Sequence, residues 1–479
     1  MATKYLTIIQ QNDTHGYLWP HPELFWMDPK PVFKTNIGGF AKTAAVVKSI
    51  RKTGPTLFID SGDVFHGTGP VVLSQGAIVP PLLAAMGLDV MVPGNWDYAY
   101  GVDTLLTLIQ GSQVEALAAN VQWSDGKSVL PSVGVRHLED IAVGLVGLTY
   151  SEESQAMPKS FSQGLKFEID MSALQSQIQR LRDQHRVDVV VLVSHLGLPQ
   201  DLKLANEVNG IDVVLSGHSH DRLIHPIKVN NTWIIQSGAN GSFLGILSLE
   251  ITPGKPITQV QHELKTLDMP EGDPDIQNLL DHQLKPYQKT MDEVIGLLGT
   301  PLHRMTVLEA PMDQLICDAY LSYTEADVAF SHGWRYGAPI LPGPFTRGHL
   351  FNMIPTNPEL FITELDGITL REFLEQNLES VFADNPFSQK GGYVVRSSGL
   401  LMAFKSYNPK GSRIEYLAVN NKEVTPSGRY QVASAGPQGL KGVETAKNYL
   451  GISAHDVIES YFKQHRPVIV SEHHHAVAL

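Results

Sequence analysis

The sequence predicts an α/β protein of two domains, on three observations. Its 479 residues exceed the roughly 250 to 300 over which one hydrophobic core keeps growing. From Tyr5 to about Glu250, short β-branched runs alternate with helix-like segments and end in loops rich in Gly, Asp, Asn and His. Past Pro301 the pattern changes to strands and loops with many Gly and Pro. The predicted strands of the first part are Leu6–Gln10, Thr56–Asp60, Asp89–Val92, Ile141–Leu148, Val187–Ser194 and Asp212–Ser216, and apolar residues at turn spacing predict helices over Gly39–Lys52 and Met171–His185. MPEGDPD at Met269–Asp275 breaks the pattern and leads into a polar helix running to about Leu298. The expected division is a catalytic domain over 1–268, a linker helix over 269–299 and a second, mixed domain over 300–479 that binds substrate, with helices at Pro311–Thr324 and Thr369–Ser380.

Apolar residues at 43% and charged residues at 18% are globular values, and no run approaches the ~18 apolar residues of a membrane span. A net charge of -13 without clustered Lys and Arg argues against nucleic acid as partner. The lone Cys317, within DQLICDAYL, excludes an intrachain disulfide and a Cys-rich zinc site and predicts a packing role. MATKYLTIIQ runs straight into a strand with no export leader, so the expected location is cytoplasmic as written, or periplasmic where a signal has been removed. The ending SEHHHAVAL reads as a frayed, solvated tail.

Five motifs follow predicted strands: NDTHG with Asp13 and His15, SGD with Asp63, GNWD with Asn95, SHLG with His195, and SGHSH with His218 and His220. Open α/β sheets gather their ligand sites at these C-terminal strand ends. One such His would more often cap a helix or satisfy a core hydrogen bond, but five motifs rich in N and O donors point to a metal site suited to Mn, Fe or Zn. Asp13 and His15 alternate along an extended loop so that both can face one ion, as can His218 and His220, while a carboxylate such as Asp63 can bridge two. Two ions about 3.5 to 4 Å apart stabilise both the entering and the leaving group of an in-line displacement, which predicts hydrolysis at phosphorus or sulfur.

In this order the motifs resemble the calcineurin-like metallophosphoesterases, and the length resembles their 5'-nucleotidase branch. The resemblance implies a four-layer α/β/β/α domain followed by a smaller α/β domain of the 5'-nucleotidase type. It also implies two divalent ions, one held by Asp13, His15, Asp63 and His220 and the other by Asp63, Asn95, His195 and His218. Nucleotidases read GNHE or GNHD where this chain reads GNWD, so Trp96 replaces the His that stabilises or protonates the reacting group, a contribution of typically 10² to 10⁴. The nucleoside clamp expected of that branch is missing: the two regions read MIPTN, with Thr356, and SAGPQGLKG.

Both departures are similar to the Sox-system thiosulfohydrolases (SoxB), which use manganese to release sulfate from a thiosulfonate on a carrier-protein cysteine. WRYG at Trp334–Gly337, ILPG at Ile340–Gly343 and GGYVVR at Gly391–Arg396 carry that similarity, together with DQLICDA, DLKLA and GANGSFLG. A persulfide leaves more readily than an alkoxide, so sulfonate release needs charge neutralisation more than an acid and tolerates Trp96. Asn95 and the missing leader depart from the SoxB pattern. Asn95, Asp97 and Arg335 are the candidate catalytic residues, and Trp96, Arg335, Tyr336, Tyr393 and Arg396 the candidate substrate-binding ones. Asp97 reads equally as a residue that orients a metal ligand or as a helix N-cap, either Arg also reads as an ion-pair partner, and Trp96 and Tyr393 read as pocket wall or as core. His66 and Tyr336 lie beside motif residues and could reach the pocket, but loop packing is their default reading. The substrate is then a small anion or a carrier-bound thiosulfonate. The alternatives are a nucleotide-hydrolysing phosphoesterase and a non-catalytic protein with structural metals.

Overall fold

The computed structural model describes residues 3–27, 30–436, 440–471 and 475–479. The chain divides into two units, one of residues up to Glu23 with Lys34–Pro286, the other of Leu24–Phe33 with Tyr287–Leu479.

The first unit holds two six-stranded sheets. One is built around the parallel strands Lys4–Gln11, Thr56–Asp60, Val90–Met91 and Glu115–Ala116, with Phe243–Ile251 and Val260–Thr266 added antiparallel. The other is built around the parallel strands Ile141–Leu148, Val189–Ser194, Val213–Ser216 and Thr232–Ile235, with antiparallel strands at both edges. Thr56–Asp60 and Val189–Ser194 are buried at every position, as strands covered on both faces must be. Ile8, Ile59 and Val90 of the first sheet share one buried cluster with Leu145, Val191 and Leu215 of the second, so the sheets face each other across a single core. Helix Phe40–Arg51 packs on Thr56–Asp60, and Met171–Asp183 packs on Ile141–Leu148 and Val189–Ser194, completing four layers. Asp170 caps the latter helix by accepting from the backbone N–H of Ser172 and Ala173.

The second unit contains a five-stranded sheet of Arg396–Ser398, Val328–Ser331, Arg429–Ala435, Glu359–Asp366 and Asn448–Ser453, and a four-stranded sheet that includes Leu400–Phe404 and Ile414–Val419. Helix Pro311–Thr324 forms as expected and buries Cys317.

Several expectations need correction. The polar helix spans only Pro274–Met291; Val294–Leu298 is a strand, because it pairs antiparallel with Gly343–Thr346. The end of the chain is not a frayed tail over Ala476–Ala478, which pair in parallel with Leu400–Phe404. Backbone N–H groups of His475 and Ala476 both donate to the Glu309 carboxylate, and His475 Nδ1 lies 3.0 Å from the Leu400 carbonyl. His473 and His474 fall outside the described residues, as do residues 437–439 of the SAGPQGLKG segment. No helix among the described residues is long and apolar enough to cross a membrane.

Candidate metal centre

All five motifs converge at the C-terminal ends of strands of the first unit. Their backbone is unusual: Asp13 (φ 51°), His15 (46°), Asp63 (63°), His218 (70°) and His220 (63°) all lie in the left-handed region. Each such residue costs roughly 1–2 kcal/mol, and strain of this kind concentrates where function demands a particular side-chain direction. Gly94 makes the convergence possible, because a Cβ there would meet Asp63 Oδ1 at 2.2 Å and His195 Cε1 at 2.6 Å.

The seven predicted ligands form one cluster, buried apart from the partly exposed His220. Asp13 Oδ1 lies 3.2 Å from His220 Nε2, 3.8 Å from His195 Nε2 and 3.9 Å from His15 Nε2. Asp63 Oδ2 lies 3.3 Å from His195 Nε2 and 3.8 Å from His15 Nε2. The Nε2 atoms of His15 and His220 are 3.1 Å apart. Asn95 Oδ1 completes the set, 3.2 Å from His195 Nε2 and 2.9 Å from His218 Nδ1. Two overlapping groups have ligand atoms close enough to hold an ion, Asp13–His15–His220 and Asp13–Asp63–His195.

These side chains are aimed by a second ring of polar groups. Asp97 accepts four backbone hydrogen bonds, from Asp63, Val64, Phe65 and Gly94 at 2.8–2.9 Å, and so locks the SGD loop onto the GNWD loop. Its carboxylate is thereby committed to positioning the ligand loops. Asn12 Nδ2 and the His218 N–H both donate to Asp13 Oδ2, while His195 Nδ1 donates to the Ser61 carbonyl. Sequence reasoning missed two residues here. Gln236 donates to Ser216 Oγ and the Gly217 carbonyl and accepts from Asp221 N–H, holding the SGHSH loop. The Tyr150 ring packs against His218 with centroids 4.3 Å apart. Both follow parallel strands at their C-terminal ends, the rule that found the other motifs.

The electrostatics of the cluster call for cations. Burial opposes charge on His195, yet Asp63 and Asp13 push it up to about 10. Burial alone would raise the Asp13 carboxyl, but the His220 and His195 imidazoles hold it well below the usual range. Asp13 Oδ1 is enclosed and accepts no hydrogen bond from any donor of suitable geometry among the described residues. An orphaned carboxylate oxygen ringed by three imidazole Nε2 atoms fits a divalent ion.

Trp96 is 5% exposed and its backbone N–H donates to Asp63 Oδ1 at 2.8 Å; its indole packs face to face on His66. The remaining candidates belong to the second unit. Arg396 is buried, its guanidinium donating to the carbonyls of Thr306 and Val307 and lying 5.2 Å over the Tyr393 ring. These contacts anchor it within its own unit, where its Nε also lies 3.8 Å from Asp313 Oδ2. Tyr336 is 4% exposed and stacks on Trp334. Arg335 is half-buried.

The calcineurin-like phosphoesterase family matches residues 6–222, and the 5'-nucleotidase C-terminal domain matches residues 290–438. The 5'-nucleotidase of Bos taurus is 25% identical over 86% of this chain and 78% of its own length. Two Bacillus subtilis proteins also match, the trifunctional nucleotide phosphoesterase protein YfkN at 23% identity and the endonuclease YhcR at 25%, but the chain spans only 30% and 38% of their lengths. Among solved structures, the sulfate thiohydrolase SoxB of Thermus thermophilus, in complex with glycerol, superposes with a TM-score of 0.89 at 26% identity, covering 99% of this chain and 96% of that one. A 5'-nucleotidase precursor from Thermus thermophilus shares the fold, with a TM-score of 0.87 at 23% identity and 99% coverage of each chain. The chain therefore joins a calcineurin-like phosphoesterase domain to a 5'-nucleotidase C-terminal domain and belongs to the 5'-nucleotidase branch of that superfamily of hydrolases.

Proposed function

We propose that this chain is a dimetal hydrolase of the SoxB type, releasing sulfate from a thiosulfonate. The observation that carries this reading is Trp96, buried at the position where nucleotidases have an imidazole. Asp13, His15, Asp63 and His220 would hold one ion, and Asp63, Asn95, His195 and His218 the other. Two divalent ions, manganese in this reading, supply Lewis acidity toward substrate oxygens and lower the pKa of water at the site when bound. The chain's own part is to fix the ligands through Asp97, Asn12 and Gln236. A persulfide leaving group suits a site without an imidazole at position 96. Arg335, whose planar guanidinium suits sulfonate or phosphate oxygens, is the proposed anion-binding residue of the second unit. The substrate would be a small anion or a thiosulfonate on a carrier cysteine, the latter met in the periplasm.

The match to the Bos taurus 5'-nucleotidase over 78% of its length supports a second reading, hydrolysis of nucleotides or other phosphoesters. A parallel assay of the manganese-loaded protein separates the two, scoring sulfate from a thiosulfonate on a cysteine peptide against phosphate from AMP and nitrophenyl phosphate. Sulfate release is expected. Phosphate alone would overturn the first reading in favour of the second, and Trp96→His should then raise the phosphatase rate.

A further inference from the structure

The GNWD motif takes an imidazole away from position 96, but an imidazole stands directly against the residue that replaces it. His66 lies on the loop that carries Asp63, and its ring stacks on the Trp96 indole with centroids 4.7 Å apart and planes inclined by 16°. Tyr100 packs beside it at 5.6 Å. Gly67 presses the same loop onto the first motif, since a Cβ there would meet the His15 carbonyl oxygen at 2.0 Å. His66 is thus wedged between the segments that present Asp63, Asn95 and His15.

The residue is 3% exposed, yet no hydrogen bond reaches either ring nitrogen among the described residues. Neither nitrogen is among the fully enclosed polar atoms that lack a partner, so solvent-sized space adjoins the ring. A ring nitrogen that no protein group satisfies and that such space adjoins is open to water or to a ligand oxygen.

We propose that His66 is the substrate-contacting imidazole of this site, its ring N–H donating a hydrogen bond to an oxygen of the sulfonate or phosphate group held at the metal centre. Trp96 is then the platform for a relocated histidine, and the two residues form one functional pair. Burial, helped by the neighbouring His15, lowers the pKa of His66 to about 3, so the ring is neutral with one N–H and one lone pair at working pH. It donates a hydrogen bond and keeps its proton throughout. The inference rests on the dimetal hydrolase reading but not on the choice between sulfur and phosphorus.

The test uses the full-length manganese-loaded protein and two variants. His66→Phe keeps an aromatic ring on Trp96 but has no N–H; His66→Gln loses the ring and keeps a donor. Removing one preorganised donor to a developing oxyanion typically lowers kcat about 10²- to 10³-fold, and that loss is expected for His66→Phe, with two manganese ions retained per chain. His66→Gln should recover at least tenfold of it. In the His66→Phe background, Trp96→His should restore part of the rate by returning an imidazole to the older position. Calorimetry with inorganic phosphate gives a readout independent of turnover, and His66→Phe should bind it about tenfold more weakly than the unaltered protein. A His66→Phe protein with kcat within twofold and unchanged phosphate affinity would overturn the inference, as would loss of manganese from that variant. Failure of the unaltered protein to hydrolyse any substrate would overturn the functional reading instead, and the phosphate titration would still decide the role of His66.

Discussion

In the second unit Asp313 and Arg304 are fully enclosed, and Arg304 Nε meets both Asp313 oxygens at 3.2 and 3.1 Å while Nη1 donates to the carbonyls of Tyr336 and Met353. In the first unit Asp13 is just as enclosed, yet its Oδ1 accepts no hydrogen bond among the described residues and its backbone sits at a strained φ of 51°. Asp313 adds a hydrogen bond from Ser331 Oγ and stands on a regular helix, Pro311–Thr324. One carboxylate is satisfied by the fold and serves it. The other is held by the fold against its own preference and has valence left for something else. The difference between a structural and a functional buried charge is legible in partners and backbone, not in burial.

The largest expected effects test this contrast directly. Asp313→Ala strands Arg304 as an uncompensated buried charge and should cost about 3–5 kcal/mol, read from the denaturation midpoint. Asp13→Asn should abolish retention of two manganese ions and lower turnover by at least ~10³, and in chelator it should cost less stability than Asp313→Ala, because it strands no fully buried guanidinium. A metal-free Asp13→Asn protein that melts as low as Asp313→Ala would break the comparison.

An intermediate effect is expected at Asp97. Asp97→Asn turns a donor toward two of the four backbone N–H groups that Asp97 accepts. It should weaken metal affinity about 10- to 100-fold by competition titration, while also lowering the metal-free melting temperature because buried N–H groups lose their acceptor. Affinity within twofold would mean that the loops are held by other contacts.

The second unit should also show its own pH response. Burial lowers both His349 and His455 to about 4, and His349 Nδ1 accepts the Thr346 N–H at 3.0 Å, which requires that nitrogen unprotonated. Folded pKa values lie below the unfolded value of about 6.5, so the unfolded chain binds protons first as pH falls. Stability should be complete above about pH 6.5 and decline progressively toward pH 4. His349→Gln, which can still accept at that helix start, should flatten the decline; identical profiles would assign the response elsewhere. The smallest effect is expected from Tyr150→Leu, which removes the stack on His218 and should weaken manganese binding only about 2- to 10-fold.

The first unit was largely legible in the sequence because strands buried on both faces give unbroken apolar runs, and the chemistry begins where each run stops. Thr56–Asp60 and Ile141–Leu148 have the predicted bounds, and all seven predicted ligands meet. Contacts distant in sequence were not legible. Gln236 reads as one more polar residue after a strand until its bonds to the SGHSH loop are seen. Nothing local in GGYVVR announces that the carbonyls of Thr306 and Val307 receive Arg396. Val294–Leu298 follows a helix so closely that only its partner, Gly343–Thr346, makes it a strand. The grouping of Leu24–Phe33 with the second unit likewise depends on tertiary neighbours, not on pattern.

The short strand Ala476–Ala478 has a consequence for handling the protein. It lies along Leu400–Phe404 on the side opposite Ile414–Val419, and so acts as a guard rail over what would otherwise be an open row of unpaired amides beside the enclosed Met402 and Phe404. A chain trimmed at Ser471 would present that row to its neighbours as a template for sheet growth, so shortening should first appear as concentration-dependent aggregation rather than as lost catalysis.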